Sequence, residues 1–101
     1  ALLIKPSLVL LDEPFSSLDE LTAQLMRQEL VSWLEMVPAT VVLVTHNPLE
    51  AVYLADRIVL LTQAPGRIYK VEKVPFSKPR TYEDLSLWAF SRRLVRILGV
   101  L

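Results

Sequence analysis

Two adjacent carboxylates and the chain's single histidine carry the chemistry this sequence can offer. Asp12 and Glu13 end the apolar run Leu8-Val9-Leu10-Leu11, and His46 closes a second run, Thr40-Val41-Val42-Leu43-Val44-Thr45. One carboxylate suits a hydrated magnesium ion, for which one or two such ligands beside phosphate oxygens suffice. The other suits accepting a proton from, or orienting, an attacking water. A histidine can donate to a phosphate without carrying a permanent charge. Each group also has a plainer reading. Asp-Glu before Pro14 makes a solvated turn, and a lone histidine more often ends a strand or sits satisfied in an interior. Placement favours a site, because both groups follow directly on apolar runs.

Secondary elements must hold these residues together. The two apolar runs read as strands buried on both faces. Between them Leu21, Leu25, Leu30, Trp33, Leu34 and Val37 recur at three- and four-residue steps, an amphipathic helix that ends near Pro38. Strand, helix and strand in this order imply a parallel pair with a helical crossover. Chemistry in such sheets gathers at the carboxyl ends of the strands, where Asp12, Glu13 and His46 lie.

Further on, Asn47-Pro48-Leu49-Glu50 has the form of a helix start: a side-chain cap, a proline where no amide is needed, and an acid at the third position. That helix start is also a candidate anion site. The helix runs to about Ala55. Ile58–Leu61 and the alternating Arg67–Val74 read as a hairpin turning at Pro65-Gly66, the second strand with one face wet. Thr81 through Asp84 form a capping box for a last helix that points Leu87, Phe90, Leu94, Ile97 and Leu98 inward. Ala1–Ile4 reads as the tail of a helix entered midway. The predicted order is β, α, β, α, β, β, α in one small α/β domain.

Composition narrows the function classes. The 101 residues hold 11 basic and 11 acidic side chains, no cysteine and two glycines, Gly66 and Gly99. Zero net charge argues against a nucleic-acid binder, which needs a cationic surplus. Without cysteine there is neither a disulfide framework nor a thiolate metal site. Two glycines so placed exclude a phosphate loop of the GxxxxGK type within these residues. The apolar share is 52%, high for a short soluble chain, which suggests apolar surface covered by something else. No run reaches the ~18 to 20 apolar residues of a membrane span. Trp33 and Trp88 read as core or interface anchors. Lys78, Arg80, Arg92, Arg93 and Arg96 make a basic end that reads as a solvated helix face, with a lipid-headgroup or regulatory contact as the lesser alternative.

Leu8-Val9-Leu10-Leu11-Asp12-Glu13-Pro14 closely resembles the Walker B motif of ABC-type ATPases. Ser16-Ser17-Leu18-Asp19 resembles their D-loop, and Thr45-His46 before a capped helix resembles their switch-histidine loop. Gln63-Ala64-Pro65-Gly66-Arg67-Ile68 and the short terminal helix are similar to importer ATPases of the nitrate, sulfonate and taurine group. The resemblance implies a partial P-loop NTPase fold: parallel strands with crossover helices, a C-terminal β-hairpin and a terminal helix. Residues 1–101 would then be the C-terminal portion of one nucleotide-binding domain, with Walker A, glutamine loop and signature motif absent.

The resemblance further implies ATP and Mg2+ as cofactors. Asp12 would support the metal, usually through water. Glu13 would polarise the attacking water and His46 would contact the γ-phosphate. Ser16, Ser17, Leu18 and Asp19 would lie at a dimer interface. The implied partners are a second ATP-binding subunit, transmembrane permease subunits and, indirectly, a periplasmic or extracellular solute-binding protein. The implied location is peripheral, on the cytoplasmic face of the membrane. Without the missing loops the isolated chain is expected to be inactive. Two other readings are a non-catalytic module pairing with a full-length ABC ATPase, and a head fragment of a chromosome-maintenance or DNA-repair ATPase. The importer-like hairpin and the lack of basic surplus count against the latter.

Overall fold

A computed structural model describes residues 8–62 and 66–99. The element order is β1 (Leu8–Asp12), α1 (Glu20–Met36), β2 (Thr40–Val44), α2 (Pro48–Leu54), β3 (Arg57–Leu61), β4 (Ile68–Lys73) and α3 (Leu85–Gly99). The predicted succession is therefore observed. The expectations for Ala1–Ile4 and for the Gln63–Pro65 part of the hairpin turn lie outside the described residues. The chain divides into two compact units, residues 1–46 and 47–101.

In the first unit β1 and β2 pair in parallel, from Leu8 opposite Thr40 to Asp12 opposite Val44, with α1 as the connection. The short β-branched and leucine-rich segments suit a pleated surface, and the intervening helix is long enough to return the chain to the same end. Burial departs from the prediction. Val9, Leu11, Val41 and Leu43 are half-buried, whereas Leu8, Leu10, Val42 and Val44 are exposed, Leu10 at 71%. Alternate residues of a strand face opposite ways, so one face of this two-stranded sheet has no cover among the described residues.

The inward stripe of α1 is also displaced. Leu21, Leu25 and Trp33 are exposed, while Ala23 and Arg27 are the buried positions. Arg27, 3% exposed, is accommodated because its guanidinium donates to Glu20 Oε1 at 3.1 Å. Its long methylene stem adds apolar contact to that ion pair.

The second unit holds most of the described core: Val52, Tyr53, Leu54, Ile58, Leu60, Val74, Leu87 and Leu94. β3 and β4 are antiparallel, with a register irregularity between Leu60 and Leu61. Gly66, the described residue of the predicted Pro65-Gly66 turn, has φ +70°, a left-handed conformation that glycine tolerates without steric cost. Tyr53 meets Tyr82 edge to face at 4.7 Å, and Phe76 meets Phe90 at 5.7 Å. These rings fasten the segment after β4 to helices on either side of it in sequence. α3 buries Leu87, Ser91 and Leu94, with Phe90 and Ile97 half-buried. Leu98, expected inside, is exposed, and so is Trp88.

The start of α3 differs in detail from the predicted capping box. Asp84 itself accepts the Ser86 amide at 2.8 Å, which makes it the capping side chain one residue before Leu85. The basic end is mostly engaged in bonds. Lys78 pairs with Asp56 at 3.1 Å and Arg93 with Glu72 at 3.0 Å. No helix among the described residues is long and apolar enough to cross a membrane.

Candidate functional site

The parallel register determines which chemical groups meet. The ladder ends with Asp12 opposite Val44, and the Glu13 amide continues it by donating to the Val44 carbonyl at 2.8 Å. Two residues beyond Val44, His46 leaves the sheet at the same edge. His46 Nδ1 and Glu13 Oε1 are hydrogen-bonded, joining groups 33 residues apart in sequence. The structure thus brings together two of the three groups singled out for catalysis and metal binding. Asp12 occupies the neighbouring position, its side chain exposed at the last rung of the ladder.

The environments of the pair differ. The Glu13 side chain is 27% exposed and the His46 side chain 93%. The carboxylate therefore sits partly sheltered while the imidazole presents its remaining nitrogen to solvent. With Nδ1–H donating to Glu13, Nε2 is a hydrogen-bond acceptor when the ring is neutral and a donor when it is protonated. Glu13 also has φ +46°, a left-handed conformation unusual for a residue with a Cβ. Backbone conformations of this kind cost on the order of 1 to 3 kcal/mol and collect at functional sites. Among the described residues there is no group of three or more His, Cys, Asp or Glu side chains able to hold a metal alone. A magnesium ion bound chiefly by phosphate oxygens and water needs only one or two carboxylates.

The four residues after Pro14-Phe15 divide into two kinds. Ser16 donates its amide at 3.3 Å and its hydroxyl at 3.1 Å to the Glu13 carbonyl. Asp19 caps α1, Oδ1 accepting the Thr22 amide at 2.9 Å and Oδ2 the Thr22 hydroxyl at 2.8 Å. These bonds hold its carboxyl below the usual carboxylate range, the backbone amide of Thr22 contributing most and its hydroxyl next. Ser17 and Leu18 are exposed between them. In the second unit Asn47 caps α2, its Oδ1 accepting the Glu50 amide at 3.2 Å with Pro48 following. That amide is thereby engaged by the protein itself.

Sequence reasoning missed Arg80, which is half-buried rather than part of a solvated face. Its Nη1 donates to the Val52 and Ala55 carbonyls at 2.9 and 2.6 Å, and Nε and Nη2 both reach the Phe76 carbonyl at 3.0 and 2.7 Å. Nothing in the run Lys78-Pro79-Arg80 distinguishes it from its basic neighbours.

No protein-family model matches the chain. Individual relatives are clear. An uncharacterised ABC transporter ATP-binding protein of Methanocaldococcus jannaschii is 39% identical over 93 residues, 92% of this chain and 35% of the relative. The nitrate import ATP-binding protein NrtD of Synechococcus elongatus is 42% identical over 84 residues, 82% of this chain and 31% of the relative. The chain's homologues are ABC transporter ATP-binding proteins. Another is the aliphatic sulfonates import ATP-binding protein SsuB of Bacillus cereus, 40% identical over 86 residues, 83% of this chain and 34% of the relative. The chain spans about a third of the length of these relatives. Its small α/β fold, with a parallel pair, an antiparallel pair and a terminal helix, is compatible with part of an ABC ATPase.

Proposed function

We propose that the chain is the C-terminal portion of the nucleotide-binding domain of an ABC importer subunit, carrying its Walker B, D-loop and switch-histidine elements. The observation that carries this reading is the bond between Glu13 and His46 across the carboxyl edge of a parallel β1–β2 pair. The names of the relatives support transport of a small anion such as nitrate or a sulfonate rather than work on DNA. The complete subunit then hydrolyses ATP in a dimer beneath membrane-spanning permease subunits, peripheral to the cytoplasmic face of the membrane.

The residues present fit one end of the nucleotide site. Asp12, exposed at the end of β1, is the carboxylate that would hold Mg2+, and the metal supplies charge neutralisation at the phosphates when bound. Glu13 accepts a hydrogen bond from the attacking water and draws on its proton. His46, already bound through Nδ1, reaches the terminal phosphate by donating from Nε2, which requires both ring nitrogens to be protonated. The segment Ser16, Ser17, Leu18 and Asp19 meets the partner subunit. No glycine-rich phosphate loop occurs in these residues, so the chain by itself is inactive on this reading.

The test is Glu13→Gln in the complete subunit. Removing the proton-accepting carboxylate at nearly constant volume should slow hydrolysis by on the order of a hundredfold or more while ATP still binds. Wild-type turnover in that variant would refute the role of Glu13.

A further inference from the structure

The left-handed backbone at Glu13 does not maintain itself, because a residue with a Cβ adopts it only where neighbours hold it. Two sets of bonds do so. On the amino side the Glu13 amide is tied to the Val44 carbonyl at 2.8 Å. On the carboxyl side the Glu13 carbonyl receives two donors from one residue, the Ser16 amide at 3.3 Å and the Ser16 hydroxyl at 3.1 Å. Between these anchors the side chain is directed to His46 Nδ1.

We propose that Ser16 is a positioning residue for Glu13: its hydroxyl holds the peptide whose left-handed turn aims the carboxylate at His46. The inference rests on the reading of Glu13 as the group that polarises water. It also separates roles within the loop that resemblance treats as one interface element. Ser16 points its hydrogen-bonding capacity back along its own chain, and Asp19 gives both carboxylate oxygens to Thr22. All four residues are exposed, and Ser17 and Leu18, whose side chains take no part in these bonds, are the members left to meet a second subunit. A serine hydroxyl bonded to the carbonyl three residues back is a local bond that competes with regular structure, which suits a turn that must stay out of α1.

Ser16→Ala and Ser16→Thr in the complete subunit test this. Alanine keeps the backbone bond and loses the hydroxyl, whereas threonine keeps both. Loss of one ordinary hydrogen bond should speed amide exchange at Glu13 by about 3- to 10-fold and lower kcat by a similar factor, with KM for ATP within about twofold of wild type. Threonine should restore both readouts. Wild-type exchange and kcat in Ser16→Ala would overturn the proposal. So would a kcat loss that vanishes as subunit concentration rises, since that assigns the hydroxyl to the dimer contact. A Glu13→Gln control separates the two levels. Unchanged turnover there overturns the underlying reading, whereas an inert Ser16→Ala beside an inactive Glu13→Gln overturns only the role of Ser16.

Discussion

Replacing Arg80 by methionine should loosen the end of α2 far more than any other change among the basic residues of the second unit. The helix has no basic residue in its own last turn, yet the Val52 carbonyl and the C-cap carbonyl of Ala55 both accept from Arg80 Nη1. The other edge of the guanidinium gives two bonds to the Phe76 carbonyl. Burial pushes the Arg80 pKa below its ordinary value while Asp56 acts in the opposite sense, and an arginine remains charged throughout. Hydrogen bonds to a charged group contribute about 1.5 to 3 kcal/mol each. Two of the four share one acceptor, and water replaces part of what is lost, so a net loss of about 3 kcal/mol is expected. At roughly 1.4 kcal/mol per tenfold, local opening becomes on the order of a hundred times more frequent. Hydrogen exchange should register this at the Ala55 amide, bonded to Ala51, and the Val74 amide, bonded to Asp56. Arg80→Lys should recover less than half of the protection, because an ammonium cannot reach carbonyls on two sides of a planar fork. Lys78→Ala, which removes only the exposed pair with Asp56, should change exchange by no more than about twofold. Full protection in Arg80→Lys would refute the geometric account in favour of simple charge.

Asp19→Asn should keep the cap on α1 but remove its sensitivity to acid. The Asp19 carboxyl is held below its ordinary value by Thr22, so its contribution is complete above the unfolded pKa and is lost as pH falls through the folded pKa, below about 4. Far-UV circular dichroism at falling pH reads the difference, and identical acid transitions in both proteins would exclude the cap as its source. Leu94→Ala, at a fully enclosed position, should cost the second unit about 2 to 5 kcal/mol in urea unfolding, against less than about 1 kcal/mol for the exposed Leu98. ATP titration of the 101-residue chain should give no saturation in the micromolar range, and micromolar binding would contradict the need for a separate phosphate loop.

Element identity was legible because period and punctuation agreed at each step. Leu8–Leu11 and Thr40–Thr45 are short, apolar and bounded by turn residues, and Pro38 and Pro48 fall where helices end and begin. The parallel pairing followed from the order of elements, and the meeting of Glu13 with His46 followed from the pairing. Two things were not legible. The left-handed backbone at Glu13 has no glycine or asparagine to announce it, since the conformation is imposed by Val44 and Ser16 rather than by its own residue type. Arg80 reads as one of several exposed cations because a guanidinium bonded to three carbonyls, two of them 25 and 28 residues away, leaves no local pattern.

Burial failed in a more instructive way, and the failure bears on function. A run such as Leu8-Val9-Leu10-Leu11 carries apolar residues at both parities, which in a strand means two faces that each require cover. The described residues leave the parity of Leu8 and Leu10 exposed, together with Val42 and Val44 of β2. The same holds for Leu21, Leu25 and Met36 of α1. Contiguous apolar surface of this kind is uncommon on a self-sufficient monomer. The relatives are about three times as long as the matched stretch. The carboxyl edge of the parallel pair, by contrast, is built among the described residues. Asp12, Glu13 and His46 lie at the carboxyl edge of β1 and β2, where the parallel register and the Ser16 hydroxyl on the Glu13 carbonyl accompany the Glu13–His46 hydrogen bond.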